Sequence, residues 1–230
     1  MKKIKLLLLF VALISFRLNA QTYKIDTSEL SFENKLRPCF SVTYDSPAKT
    51  TKEGWSDFFK KSYKIKVKGI GLLSNKDLIE AMDVTIGSVS DKRMNMYARI
   101  TDLPNGSELK FFMSFGYDFF IGTKDYPAEF GGMKKILNDF SVKFLNNYYA
   151  SEASRLTKRI KKLEREQKSK SKSIAKNIKK AQKESSAEVT GLEAENNSLQ
   201  RDIEEMDKEI IKIKNDIESI KVKQGGITRN

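Results

Sequence analysis

The chain has 230 residues, with 43 lysines and arginines against 30 acids, a formal net charge of +13 and no histidine. The missing imidazole excludes His-based zinc sites, Ser-His-Asp and Cys-His nucleophiles, and the commonest general base near neutral pH. A single cysteine, Cys39, excludes an intrachain disulfide.

Lys2, Lys3 and Lys5 precede an apolar run from Leu6 to Phe16. Its length matches a signal-peptide core and falls short of the roughly 20 residues that span a bilayer. Residues 1–20 therefore read as a leader ending at Ala20, although Leu18 is larger than usual for its place. Gln21, not a cysteine, follows Ala20 directly, so a lipoprotein anchor is not expected. The mature chain starts near Gln21, carries no transmembrane span, and is exported to the periplasm, the outer-membrane surface or the medium. The competing reading is an uncleaved anchor.

Residues 21–149 read as one α+β domain. In "RPCFSVTY" the residues alternate and are rich in strand formers, which predicts a strand over 36–44 with Cys39 as a small buried side chain. "SPAKT" breaks it. Thr51 is placed to cap a helix in which Trp55, Phe58 and Phe59 share one face. "YKIKVKGIG" alternates cleanly: Tyr63, Ile65 and Val67 point one way, Lys64, Lys66 and Lys68 the other. Further strands are expected near 81–86 and over 94–100. The Asn-Gly step in "DLPNGS" then turns the chain into a strand carrying Leu109, Phe111, Met113 and Phe115. After Pro127, Met133, Ile136, Leu137, Phe140, Phe144 and Tyr148 recur at helical spacing. The order predicts a small antiparallel sheet with helices on one face.

Residues 150–223 follow a different logic. They contain no proline and no aromatic residue, and Leu192, Asn196, Leu199, Ile203, Met206, Ile210, Ile213, Ile217 and Ile220 keep a three-four alternation. That is a coiled-coil seam, with Asn196 as a register-fixing polar member. Leu156, Ile160, Leu163, Ile174, Ile178 and Ala181 form a thinner stripe upstream. Residues 151–183 hold thirteen bases and three acids, and residues 184–223 six bases and eleven acids. An antiparallel helical hairpin would bury both stripes and set basic half against acidic half. Its turn is expected over 184–191, where Ser185-x-x-Glu188 and Thr190-x-x-Glu193 are capping boxes and Gly191 a stop. One unbroken helix, requiring a second chain, is the disfavoured alternative. Residues 224–230 read as a flexible C-terminus.

No phosphate loop, calcium loop or singled-out carboxylate pair occurs: "GIGLLS" and "EFGGMK" lack the spacing. No cofactor or metal is expected. Two features stand out. Lys64, Lys66 and Lys68 form a row that reads as a solvent face or, alternatively, an anion contact, as do Lys161, Lys162, Lys172, Lys176 and Lys179 in the tail. Tyr117, Phe119, Phe120 and Tyr126 lie in a glycine-containing stretch outside clear alternation and are candidate partner contacts.

The sequence therefore reads as an exported, non-enzymatic binding or scaffold protein. Its coiled coil would mediate self-association or contact with an envelope partner. The alternative is an adaptor for an anionic surface (lipid, lipopolysaccharide or a phosphate-bearing glycan). An enzyme using carboxylates comes third, and a nucleic-acid partner is not expected, because the tail lacks stacking aromatics.

Overall fold

The computed structural model describes residues 23–71 and 74–227. The expected leader 1–20 and the last residues, 228–230, of the expected flexible C-terminus lie outside them. The elements in chain order are β1 (Ile25–Phe32), β2 (Lys35–Tyr44), α1 (Ala48–Ser62), β3 (Lys68–Gly71), β4 (Ser74–Ile86), β5 (Ser90–Leu103), β6 (Gly106–Ser114), α2 (Pro127–Ala181) and α3 (Ser186–Gly225). The strands make one antiparallel sheet in the order β1-β2-β6-β5-β4-β3, so the class is α+β. Two compact units divide within α2, between Tyr148 and Tyr149. Among the described residues no helix is long and apolar enough to cross a membrane.

In the first unit, α1 and the start of α2 cover the same sheet face. Trp55 from α1 meets Phe111 of β6 at 5.2 Å and Phe140 of α2 at 4.8 Å between ring centroids, and Phe130 stacks on Phe40 of β2 at 4.1 Å. The apolar spacing read from the sequence is this contact surface. Gly54 lets the two helices approach, because a Cβ there would sit 2.5 Å from the Phe144 ring. Two hydroxyl contacts tie α2 down from inside: Tyr44 Oη to Ser141 Oγ at 2.6 Å, and Tyr23 Oη donating to Asn138 Oδ1 at 2.7 Å.

Three local expectations change. First, β1 was not anticipated. It joins β2 through Glu33 and Asn34, whose φ values of 51° and 61° make a two-residue turn of the mirror-image kind that matches strand twist. Without an Asn-Gly signature, that turn is hard to read. Second, α1 starts at Ala48, ahead of Thr51. Thr51 is a buried first-turn residue bonded to Ser46 and Ser107, and Asp102 of β5 accepts the Ala48 N–H at 2.9 Å. The helix start is thus satisfied from the sheet. Third, the strand expected from Tyr63 shortens to Lys68–Gly71. Lys64 takes a left-handed φ of 60°, and Ile65 N–H returns to the Phe59 carbonyl at 3.2 Å. Inside–outside alternation survives, with Ile65 and Val67 buried and Lys64, Lys66 and Lys68 exposed.

In the second unit the chain leaves the helix over 182–185 and returns. The hairpin forms, and the single unbroken helix does not. Leu163 packs with Ile210 and Ile213, flanked by Leu156, Ile160, Met206 and Ile217. The Arg159–Glu209 and Lys170–Asp202 ion pairs, at 2.9 and 2.6 Å, and Gln167 Nε2 donating to the Ile203 carbonyl at 3.3 Å, fix an antiparallel register. Of the two capping boxes only the first forms, through its glutamate half: Glu188 Oε2 accepts the Ser185 N–H at 3.3 Å and its hydroxyl at 2.9 Å. The turn, over 182–185, begins two residues ahead of the expected 184–191 and overlaps its start. Thr190 bonds back to the Ser186 carbonyl, and Gly191 lies inside α3 rather than stopping it.

Candidate functional site

Directly paired strand residues share a face. On the face away from α1, Leu30, Cys39, Tyr97 and Phe112 form a second, smaller apolar cluster. Tyr97 and Phe112 stack at 5.0 Å, and Phe32 lies 5.1 Å from each. Burial pushes the Cys39 thiol up to about 11, so it stays protonated and unreactive at neutral pH. The helices do not close this cluster. It is closed by a loop following β6.

That loop is held at several points. Phe115 N–H donates to the Phe119 carbonyl at 2.9 Å, Phe119 N–H to Gly116 at 3.1 Å, and Ile121 N–H to Met113 at 2.9 Å. Gly116 and Tyr117 both have positive φ, 101° and 47°, so two consecutive left-handed residues reverse the chain. Glycine adopts that conformation freely, and tyrosine does so only when its surroundings impose it. The result puts Tyr117 at the tip, 96% exposed, with Phe119 60% exposed beside it.

Phe120 is the anchor. It is 7% exposed, seated against the cluster with Phe32 at 5.9 Å, and the Arg37 guanidinium lies 4.1 Å above its ring. Arg37 also donates from Nη2 to Asp118 Oδ1 at 2.6 Å, and Lys35 donates to the other carboxylate oxygen. These two donors hold the Asp118 carboxyl below the usual carboxylate range. Arg37 is buried, and its Nε has no partner among the described residues.

The loop forms a ridge between two shallow grooves. One, of about 500 Å³, is lined by Glu33, Met82, Asn95, Tyr97, Ser114 and residues 117–120. The other, of about 550 Å³, is lined by residues 118–120 and 124–126. All four aromatic candidates meet here: Tyr117, Phe119 and Phe120 in the first groove, and Phe119, Phe120 and Tyr126 in the second. Tyr126 is half-buried, edge-on to Phe115 at 5.0 Å. Rings, carboxylates and amides of this kind suit binding. Asp118, tied as a carboxylate to two cations, is not a proton donor at neutral pH. No group of three or more metal-ligating side chains occurs among the described residues.

The basic candidates fall in different places. Lys64, Lys66 and Lys68 are exposed on an extended segment and the start of β3, an edge strand. Lys161, Lys162, Lys172, Lys176 and Lys179 are exposed on α2 within the hairpin. The seam residues Leu192, Leu199, Ile203, Met206, Ile217 and Ile220 are half-buried, and Ile210 and Ile213 are buried. Sequence reasoning missed Lys35, Arg37 and Asp118. Their partnership spans about 80 residues of chain, and the one local hint, an Asp within a Gly-Tyr-Asp-Phe turn, does not reveal which cations it meets.

Together, fold and site define a two-unit protein: an α+β sheet domain presenting an anchored aromatic ridge, and a self-closed helical hairpin. Comparison with protein families, with curated proteins and with solved structures gave no match.

Proposed function

We infer that the chain is an exported, non-enzymatic binding protein whose α+β unit recognises a protein partner of the cell envelope through the Tyr117–Phe119 ridge. The observation that carries this reading is the exposure of two neighbouring aromatic side chains on a loop anchored from behind by Phe120, Arg37 and Asp118. Exposed aromatics of this kind are enriched at interfaces, and a turn already fixed before binding has less conformational freedom to lose. The hairpin occupies its own apolar seam, which supports a role other than self-association. A photo-crosslinking residue at position 117, in the cell that makes the protein, tests the reading. A discrete protein adduct that disappears with Phe119→Ala is expected. No adduct, or the same diffuse products from a label at exposed Lys124, contradicts it.

The adaptor reading, contact with an anionic surface, is favoured by a separate observation on the hairpin.

A further inference from the structure

The acids of α3 do not neutralise the lysines of α2. At about 100° per residue, Lys158, Lys161, Lys162, Arg165, Lys168, Lys172, Lys176, Lys179 and Lys180 fall within roughly 120° of arc. That arc is centred nearly opposite Leu156, Ile160, Leu163 and Ile174. All nine cations are exposed, and no acid lies in the arc, since Glu164 and Glu166 fall to either side. Among the described residues, only Lys162 of the nine has an ion-pair partner, Glu166 at 3.7 Å. The bases that pair across the hairpin, Arg159 and Lys170, are instead those flanking the seam. Ion pairing across the seam therefore leaves the outer face untouched.

The nine charges extend over about 33 Å at 1.5 Å per residue. That is one every 4 Å or so, well inside the roughly 8 Å screening length of physiological salt. Neighbours at i+3 and i+4 repel throughout, a standing cost to helix stability that, among the described residues, only the Lys162–Glu166 pair offsets. An external polyanion would relieve it.

We propose that this face of α2 is a docking surface for an anionic phospholipid bilayer, with the helix lying flat on the headgroups. A straight row on one side of a rod brings every member to a plane at once. A duplex nucleic acid presents its phosphates on winding ridges that a straight row meets only at crossings. Between its lysines the arc holds one further residue, Ser169, and no apolar or aromatic side chain, so there is nothing to insert among acyl chains. Contact stays at the headgroups and is electrostatic. The inference is independent of the aromatic ridge. The export reading bears only on which bilayer is met.

The test is co-sedimentation of the chain beginning at Gln21 with vesicles of phosphatidylcholine alone or with 30 mol% phosphatidylglycerol, across a salt series. Binding to the anionic vesicles only is expected, weakening steadily as salt rises. The variant K168Q/K172Q/K176Q/K179Q, its helicity checked by circular dichroism, should lose on the order of several hundred-fold in affinity, about fivefold per cation. The equally charged variant K49Q/K60Q/K134Q/K135Q, altered at exposed lysines of the sheet unit, should bind as the parent does. Equal loss in both variants would mean that net charge alone acts, and would overturn the proposal. Equal binding to neutral vesicles, or tighter binding to duplex DNA than to the anionic vesicles at the same salt, would overturn it as well.

Discussion

The two units hold themselves together by opposite means. The sheet unit encloses Trp55, Phe59, Phe111 and Phe140 with almost no exposure, so its stability comes from a thick, layered core. In the hairpin unit only Leu163, Ile210 and Ile213 form a buried apolar cluster, and the seam continues as half-buried residues on either side. A thin seam leaves most of both helices facing water, and that outer surface is free to carry a pattern such as the cationic row. A thick core leaves mainly loops to present large side chains outward, as at Tyr117. Packing depth therefore decides where each unit has surface to use.

Trp55 makes the comparison measurable. It is the only tryptophan, so its fluorescence reports the sheet unit, whereas helical dichroism is dominated by the hairpin. The largest expected effect is Phe111→Ala, which empties the core beside Trp55 and leaves the fluorophore in place. The alanine change should cost about 3–5 kcal/mol, lowering the sheet transition in guanidinium while the hairpin's helical signal persists. Ile213→Ala should cost about 2–4 kcal/mol in the hairpin, visible at 222 nm and silent in Trp55 fluorescence. If both probes shift together in both variants, the units are one cooperative body and the comparison fails.

Ser185→Ala is smaller. It removes the hydroxyl that donates to Glu188 at the start of α3 and should cost about 0.5–1 kcal/mol, again in the helical signal alone. Smallest is the response to acid. Glu188, bonded chiefly to Ser185, and Glu209, bonded chiefly to Arg159, are both held below their usual carboxylate value of 4.5. A carboxyl depressed in the folded state contributes stability that is complete above its unfolded value and is lost as pH falls through its folded one. Thermal melts of the hairpin should therefore agree at pH 7 and pH 5.5 and soften only below about pH 4.5. Softening that begins near neutrality would contradict this account of its charges.

What the sequence disclosed follows the same division. The seam was legible from Leu192 to Ile220, because helical spacing depends only on neighbours in the chain. So were the aromatic faces of α1 and α2, and the Ser185–Glu188 cap. The hairpin was also legible, because it answers a local charge asymmetry. The start of α1 was not, since Asp102, the acceptor for its first N–H, arrives from more than 50 residues away. Nor was β1, whose turn uses Glu33 and Asn34 in place of a glycine. At the site, Tyr117 and Phe119 were visible as aromatics out of register. Phe120, the third, turned out to anchor them, through Arg37 and Asp118, which only the folded sheet brings together. The Asn196 polar position was likewise legible. The register places Asn177 at the same level on the opposite arm, and Asn177 Nδ2 and Asn196 Oδ1 are each buried without a hydrogen bond among the described residues.

Spin labels at Lys168 and Glu204, both exposed and level with each other in the antiparallel register, test the self-closed hairpin most directly. Buried Cys39 would remain unlabelled beside the engineered thiols. The account predicts a separation of no more than about two helix diameters, ~20–24 Å, unchanged when labelled chains are diluted with unlabelled ones. A separation near 54 Å, the span of about 36 residues in one continuous helix, or a short distance that vanishes on dilution, would contradict it.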